Sequence, residues 1–125
     1  MLVVDDDPFM LDMLPGMLSE IYPDPPTRIV GVQSPEEALR LLKEQPPRRV
    51  LVLSDYDLRN RIDGLELLHK IASEHPSTIR VLFSGHSANE IGAMDPGVVH
   101  GFIEKPFRLS EMIPPLQSIM ARAPA

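Results

Sequence analysis

The sequence has no cysteine and no tryptophan, and aromatic residues make up 5% of its 125 positions. The absence of cysteine excludes disulfides and thiolate metal sites. So few aromatics exclude base stacking as the main mode of recognition. Positive charge is also scarce: 12 Lys and Arg stand against 18 Asp and Glu, a formal net charge of −6. The basic pair Arg48-Arg49 reads as a solvated loop rather than a groove for nucleic acid. Long apolar runs are missing too. The longest aliphatic run, Val50 to Leu53, falls far short of the roughly 20 residues that span a bilayer. The start, Met1-Leu2-Val3-Val4-Asp5-Asp6-Asp7, lacks the apolar core of a signal peptide. These absences lead us to expect a cytoplasmic protein with no direct nucleic-acid binding and no membrane insertion.

What is present fits one folded unit: 43% hydrophobic and 24% charged residues, in a length suited to a single domain. Val3-Val4 is a short apolar run stopped by aspartates, as in a buried strand reaching a polar edge. Asp7-Pro8 reads as a helix start, with Asp as N-cap and Pro in the first turn. Met10, Leu14, Met17, Leu18 and Ile21 continue at helical spacing, with a kink expected at Pro15-Gly16 and an end at Pro23 to Pro26. Thr27 to Val32 is a second strand. Ser34-Pro35-Glu36-Glu37 is a capping box, and the helix behind it faces inward through Ala38, Leu41 and Leu42 until Gln45-Pro46-Pro47. Val50 to Leu53 reads as a strand covered on both faces.

Asp55 to Gly64 reads as a polar loop, followed by a helix defined by Leu65, Leu68, Ile71 and Ala72. Ile79 to Phe83 is a fourth strand. Between Ser84 and Val98 the pattern supports one or two helical turns at most, around Ala88 to Met94, broken by Pro96-Gly97. Gly101-Phe102-Ile103 is a fifth strand. Leu109, Met112, Ile113, Leu116, Ile119 and Met120 trace a last helix interrupted by Pro114-Pro115. Alternation of strand and helix argues for a parallel sheet clothed by helices, an α/β fold.

Open parallel sheets bind ligands outside the carboxyl ends of their strands. Here those ends carry Asp5, Asp6 and Asp7, then Ser54-Asp55, then Ser84-Gly85, then Glu104-Lys105-Pro106. Carboxylates crowded at about 4 Å repel by roughly 4 kcal/mol per pair at an effective dielectric near 20. A hard dication relieves that repulsion, and oxygen donors without His or Cys favour Mg²⁺. Lys105 and the Ser84 hydroxyl would orient a transferred phosphoryl group, and Asp55 is the natural carboxylate nucleophile.

Taken together, Asp5-Asp6, Asp55, the stretch Asp63-Gly64-Leu65-Glu66-Leu67-Leu68, Ser84-Gly85 and Lys105-Pro106-Phe107 stand in order at successive strand ends. The chain resembles the receiver domains of two-component response regulators over essentially its whole length. The resemblance implies a flavodoxin-like doubly wound sheet of strand order 2-1-3-4-5, with the domain over residues 1–122, a tail at 123–125 and no output domain in these residues. It implies that Asp55 is the phosphoacceptor and that Asp6 and Asp55 bind Mg²⁺ directly. Asp5 would then act mainly through water, and the Asp57 backbone carbonyl would complete the ligands. By the same resemblance, Ser84 and Lys105 grip the phosphoryl oxygens, and Ser84 and Phe102 form the switch. Asp57 and His86 flank the path of the hydrolytic water and would tune phosphoryl lifetime, with a pH dependence between roughly 6 and 8 from the imidazole. The implied partners are a sensor histidine kinase or phosphotransfer protein and a downstream output domain or protein. The implied role is a phosphoacceptor signalling domain, not an enzyme acting on a separate substrate.

The sequence departs from the family pattern in three places. The loop from Tyr56 to Gly64 is one residue longer than the commonest form and lacks the Pro usual near Arg59. The fourth helix is short, and Pro114-Pro115 interrupts the last helix, so weak dimerisation is expected on that side. Two other readings compete. Asp55-Tyr56-Asp57-Leu58 resembles the Asp-x-Asp pair of haloacid-dehalogenase-type phosphatases, and the same fold could serve as an interaction module independent of phosphorylation.

Overall fold

A run of β-branched and aliphatic residues can be buried on both faces only where helices cover both sides of a sheet. Leu51–Asp55 meets that condition: as β3 it is buried at every position. The computed structural model describes residues 2–18, 30–44, 50–59, 61–104 and 118. Its strands are β1 (Leu2–Val4), β2 (Val30–Val32), β3, β4 (Ile79–Ser84) and β5 (Gly101–Glu104), and its helices α1 (Pro8–Leu18), α2 (Pro35–Glu44), α3 (Gly64–Glu74) and α4 (Ala88–Ile91). The strands form one parallel sheet in the order β2-β1-β3-β4-β5, the doubly wound α/β arrangement expected from the sequence. Val4 lies beside Ser54, and Asp55 beside Phe83, so the carboxyl ends of β1, β3 and β4 form one level rim.

Local chemistry explains where each helix begins. The Asp7 carboxylate accepts from the Phe9 N–H at 3.0 Å, so Asp7 caps α1 as expected. The Pro15-Gly16 pair does not end this helix, which continues to Leu18; an interior proline removes one backbone bond but leaves the neighbouring ones in place. The Ser34 hydroxyl accepts from the Glu37 N–H at 3.3 Å, and α2 buries Ala38 and Leu42. At α3, Asp63 and Glu66 form a reciprocal capping box, with Oδ1 of Asp63 accepting from the Glu66 N–H at 2.8 Å. The buried stripe of α3 is Gly64, Leu67, Leu68 and Ile71. Leu68 and Ile71 face inward as expected, Leu67 joins them, and Leu65 and Ala72 are half-buried.

The fourth helix is a single turn, capped reciprocally by Ser87 and Glu90 and ended at Gly92 with φ of 96°. That positive φ suits glycine alone among common residues. The core joins Leu2, Val4, Val52 and Leu82 of the sheet to Ala38, Leu42, Leu67, Leu68 and Ile71 of the helices. Several expectations concern residues outside the described ones: the first part of the second strand (Thr27 to Ile29), the breaks at Pro23 to Pro26 and Gln45 to Pro47, Lys105-Pro106-Phe107, and the interrupted helix at Pro114-Pro115. Among the described residues no helix is long and apolar enough to cross a membrane.

Candidate functional site

The rim above β1 and β3 gathers Asp5, Asp6 and Asp55, each offering a carboxylate oxygen within 4.8 Å of the others. Asp5 is fully buried and Asp55 is 5% exposed, while Asp6 is half-buried. The backbone holds these positions. The Asp5 N–H still donates to the Val32 carbonyl of β2 at 3.1 Å, and the Asp5 side chain accepts from the Asp7 N–H at 2.9 Å. Tyr56 continues the ladder with an N–H to the Phe83 carbonyl at 2.9 Å. Asp55 is therefore the last residue of a strand rather than part of the loop, which is why its backbone is rigid. Like charges so placed raise one another's energy, and an all-oxygen donor set without His or Cys suits a small hard cation such as Mg²⁺.

Gly64 allows this geometry. Its N–H donates to the Tyr56 carbonyl at 2.8 Å, and a Cβ on Gly64 would run into the Asp55 carbonyl and the Tyr56 Cα. The first turn of α3 can sit this close to the acceptor strand only without a side chain there. Leu58, 2% exposed, pins the loop after Asp57 to the core. Arg59 follows with φ of 49°, and its Nε lies 3.5 Å from Oδ2 of Asp6.

On the neighbouring strand, Ser84 ends β4 fully buried, and its hydroxyl accepts from the His86 N–H at 2.9 Å. The His86 ring links two carboxylates: Nε2 lies 3.1 Å from Oδ2 of Asp57, and Nδ1 lies 3.1 Å from Oε2 of Glu90. Both partners are acceptors, so satisfying both ring nitrogens requires the imidazolium. The hydrogen bond to Glu90, followed by the charge of Asp57, raises the His86 pKa above its ordinary value, and the same contact lowers that of Glu90. Tyr56 packs edge-on against His86, with centroids 5.9 Å apart. Burial and the nearby Asp63 carboxylate raise the pKa of the Tyr56 hydroxyl. Phe102 is half-buried in β5 and packs against the core beside Leu82.

The structure thus brings Asp5, Asp6 and Asp55 together and joins Asp57 to His86, with Ser84 on the adjoining strand end. Lys105 lies outside the described residues. Sequence reasoning missed Glu90 as the second partner of His86, Arg59 as a partner of Asp6, and the close approach at Gly64. The first had a legible signal, since Glu90 stands four residues after His86 and three after the capping Ser87.

A parallel α/β sheet of this order, with carboxylates converging at the carboxyl ends of its strands, defines a module whose working surface is that rim. A family model described as the response regulator receiver domain matches residues 1–117, and the chain belongs to that family. It is 34% identical over 116 residues to the nitrogen assimilation regulatory protein NtrX of Azorhizobium caulinodans, covering 90% of this chain and 24% of that one. It is 30% identical over 111 residues to the putative two-component response regulator ARR21 of Arabidopsis thaliana, covering 89% of this chain and 17% of the relative. The chain therefore spans a quarter or less of these relatives' lengths. Among solved structures, the receiver domain of NtrX from Brucella abortus aligns with TM-score 0.77 and 30% identity, over 98% of each chain. The chain is a receiver domain of a two-component response regulator.

Proposed function

We propose that Asp55 accepts a phosphoryl group from the phospho-histidine of a sensor histidine kinase or phosphotransfer protein, in a Mg²⁺-dependent reaction, and that the altered surface signals onward. The observation that carries this reading is the convergence of Asp5, Asp6 and Asp55 within 4.8 Å, flanked by the buried Ser84. An Asp55 carboxylate oxygen attacks phosphorus. The new O–P bond forms as the P–N bond to the donor imidazole breaks, and the imidazole leaves. When bound, Mg²⁺ would neutralise the transferring oxygens, held by Asp6 and Asp55 directly, by Asp5 through water and by the Asp57 carbonyl. Ser84 and Lys105 hold the phosphoryl oxygens, and Ser84 with Phe102 carries the change to the β4–β5 face.

Asp57 and His86 stand at the approach to Asp55 and set how long the phosphoryl group survives. The Asp57 side chain is engaged by His86 and stands after the third strand, not the first, which counts against an Asp-x-Asp phosphatase. We place the domain over residues 1–122 with a tail at 123–125. Its relatives are far longer, which supports a downstream output domain or protein as the receiver of the signal, in the cytoplasm.

The test is intact-mass measurement after incubation with Mg²⁺ and acetyl phosphate. One phosphoryl group per chain is expected, with none in Asp55→Asn. Catalytic turnover of small phosphate esters would favour the phosphatase. No adduct under any phosphodonor would favour an interaction module.

A further inference from the structure

Among the described residues, Arg59 is the one non-glycine position with positive φ. A left-handed backbone is unfavourable for an L-residue with a long side chain, and such positions persist where the surroundings hold them. Leu58, buried immediately before it, fixes the chain on one side. The Arg59 side chain reaches the acidic rim, where Nε lies 3.5 Å from Oδ2 of Asp6. The Arg59 side chain is 89% exposed, so the contact is readily exchanged. This is also the stretch where the loop is one residue longer than the commonest form and lacks the Pro usual near Arg59.

We propose that Arg59 is a tethered counter-ion of the acidic pocket: its guanidinium holds the Asp6 carboxylate until a divalent cation claims it, and so sets the metal affinity of the site. This rests on the Mg²⁺ reading above. A cation already on Asp6 relieves part of the carboxylate repulsion in the metal-free protein, and it must be displaced or repelled when a second cation arrives. The tether makes this competitor always present, whatever the composition of the surrounding solution. Its strength depends on screening, because the guanidinium is in water.

The test is calorimetric titration of Mg²⁺ into the wild type, Arg59→Ala, Arg59→Gly and Arg59→Lys. Each is measured near 0.01 M and near 1 M salt, where the Debye length falls from about 30 Å to about 3 Å. At low salt, Arg59→Ala and Arg59→Gly should bind Mg²⁺ about two- to five-fold more tightly than the wild type, the size expected of an exposed ion pair. Arg59→Lys should stay near the wild type, and the differences should shrink at high salt. Equal or weaker binding by Arg59→Ala overturns the proposal, as does Arg59→Lys behaving like Arg59→Ala. Tightening confined to Arg59→Gly would assign the effect to the backbone turn and also overturn it. A wild type that binds no Mg²⁺ would instead remove the cation reading itself.

Discussion

At the carboxyl edge of the sheet, Asp5, Asp6 and Asp55 hold like charges within 4.8 Å. At the amino edge, Arg80 near the start of β4 is 3% exposed, yet its guanidinium is ringed by acceptors. Nε donates to the Val98 carbonyl at 2.7 Å, Nη1 to the carbonyl and hydroxyl of Thr78 at 3.0 and 2.8 Å, and Nη2 to the Gly97 carbonyl at 3.1 Å. Burial lowers the Arg80 pKa, but an arginine keeps its charge. His100 completes the arrangement: its Nδ1 accepts the Arg80 N–H at 2.9 Å, and its own N–H donates to the Arg80 carbonyl at 2.8 Å. One end therefore crowds three carboxylates, with one exposed guanidinium beside them. The other surrounds a single charge with fixed dipoles and locks the segment before β5 onto β4. The same sheet gives up stability at the edge that carries the proposed site and gains order at the opposite one.

The comparison breaks most visibly at Arg80. Arg80→Met should lower stability by about 3–5 kcal/mol, because it leaves the buried carbonyl and hydroxyl of Thr78 and the half-buried Val98 carbonyl without their donors. Urea denaturation measures this, and a loss below about 1 kcal/mol would mean that water replaces the guanidinium freely.

At the acidic edge the sign reverses. Without divalent cations, Asp55→Asn should stabilise the protein by about 1–3 kcal/mol by removing one of three crowded charges. Addition of millimolar Mg²⁺ should raise the melting temperature of the wild type, and far less that of Asp55→Asn. A destabilised Asp55→Asn would show that the cluster is already compensated.

A smaller effect sharpens the amino edge. Burial, and then the charge of Arg80, lowers the His100 pKa from 6.5. The unfolded chain therefore takes up the proton first. The stabilising contribution is complete above about 6.5 and is lost as the pH falls from there through the lowered folded value. His100→Gln should remove this part of the acid-side slope in denaturation measured across pH; an unchanged slope would assign it to other groups.

The smallest effect is at the exposed rim. Glu90→Gln should bring the His86 pKa back down toward its ordinary value, followed by NMR titration of the ring, since Glu90 is the leading cause of its rise. No movement would leave Asp57 as the partner that matters.

Strand and helix order, the caps at Asp7 and Ser34, and the aspartates at the strand ends were legible in the sequence. Each rests on neighbours in the chain: periodicity, an N-cap before a proline, an apolar run cut off by acid. On the inward face of α3, Leu68 and Ile71 were legible but Leu67 and Gly64 were not, because the seating of the first turn depends on the Asp63–Glu66 cap and on how closely Gly64 approaches Asp55. Arg80 lay inside an apolar strand pattern, and nothing local to it showed that Val98, Gly97 and His100 would supply its acceptors and its backbone partner. Likewise, Arg59 over Asp6 joins segments that the sequence keeps far apart. Local pattern determined which elements form and which chemical groups stand at their ends, since those depend on short-range sterics, capping and burial. Only the tertiary structure decided which charges meet, because charge pairing depends on distances between strands and loops set by the packing of the whole sheet.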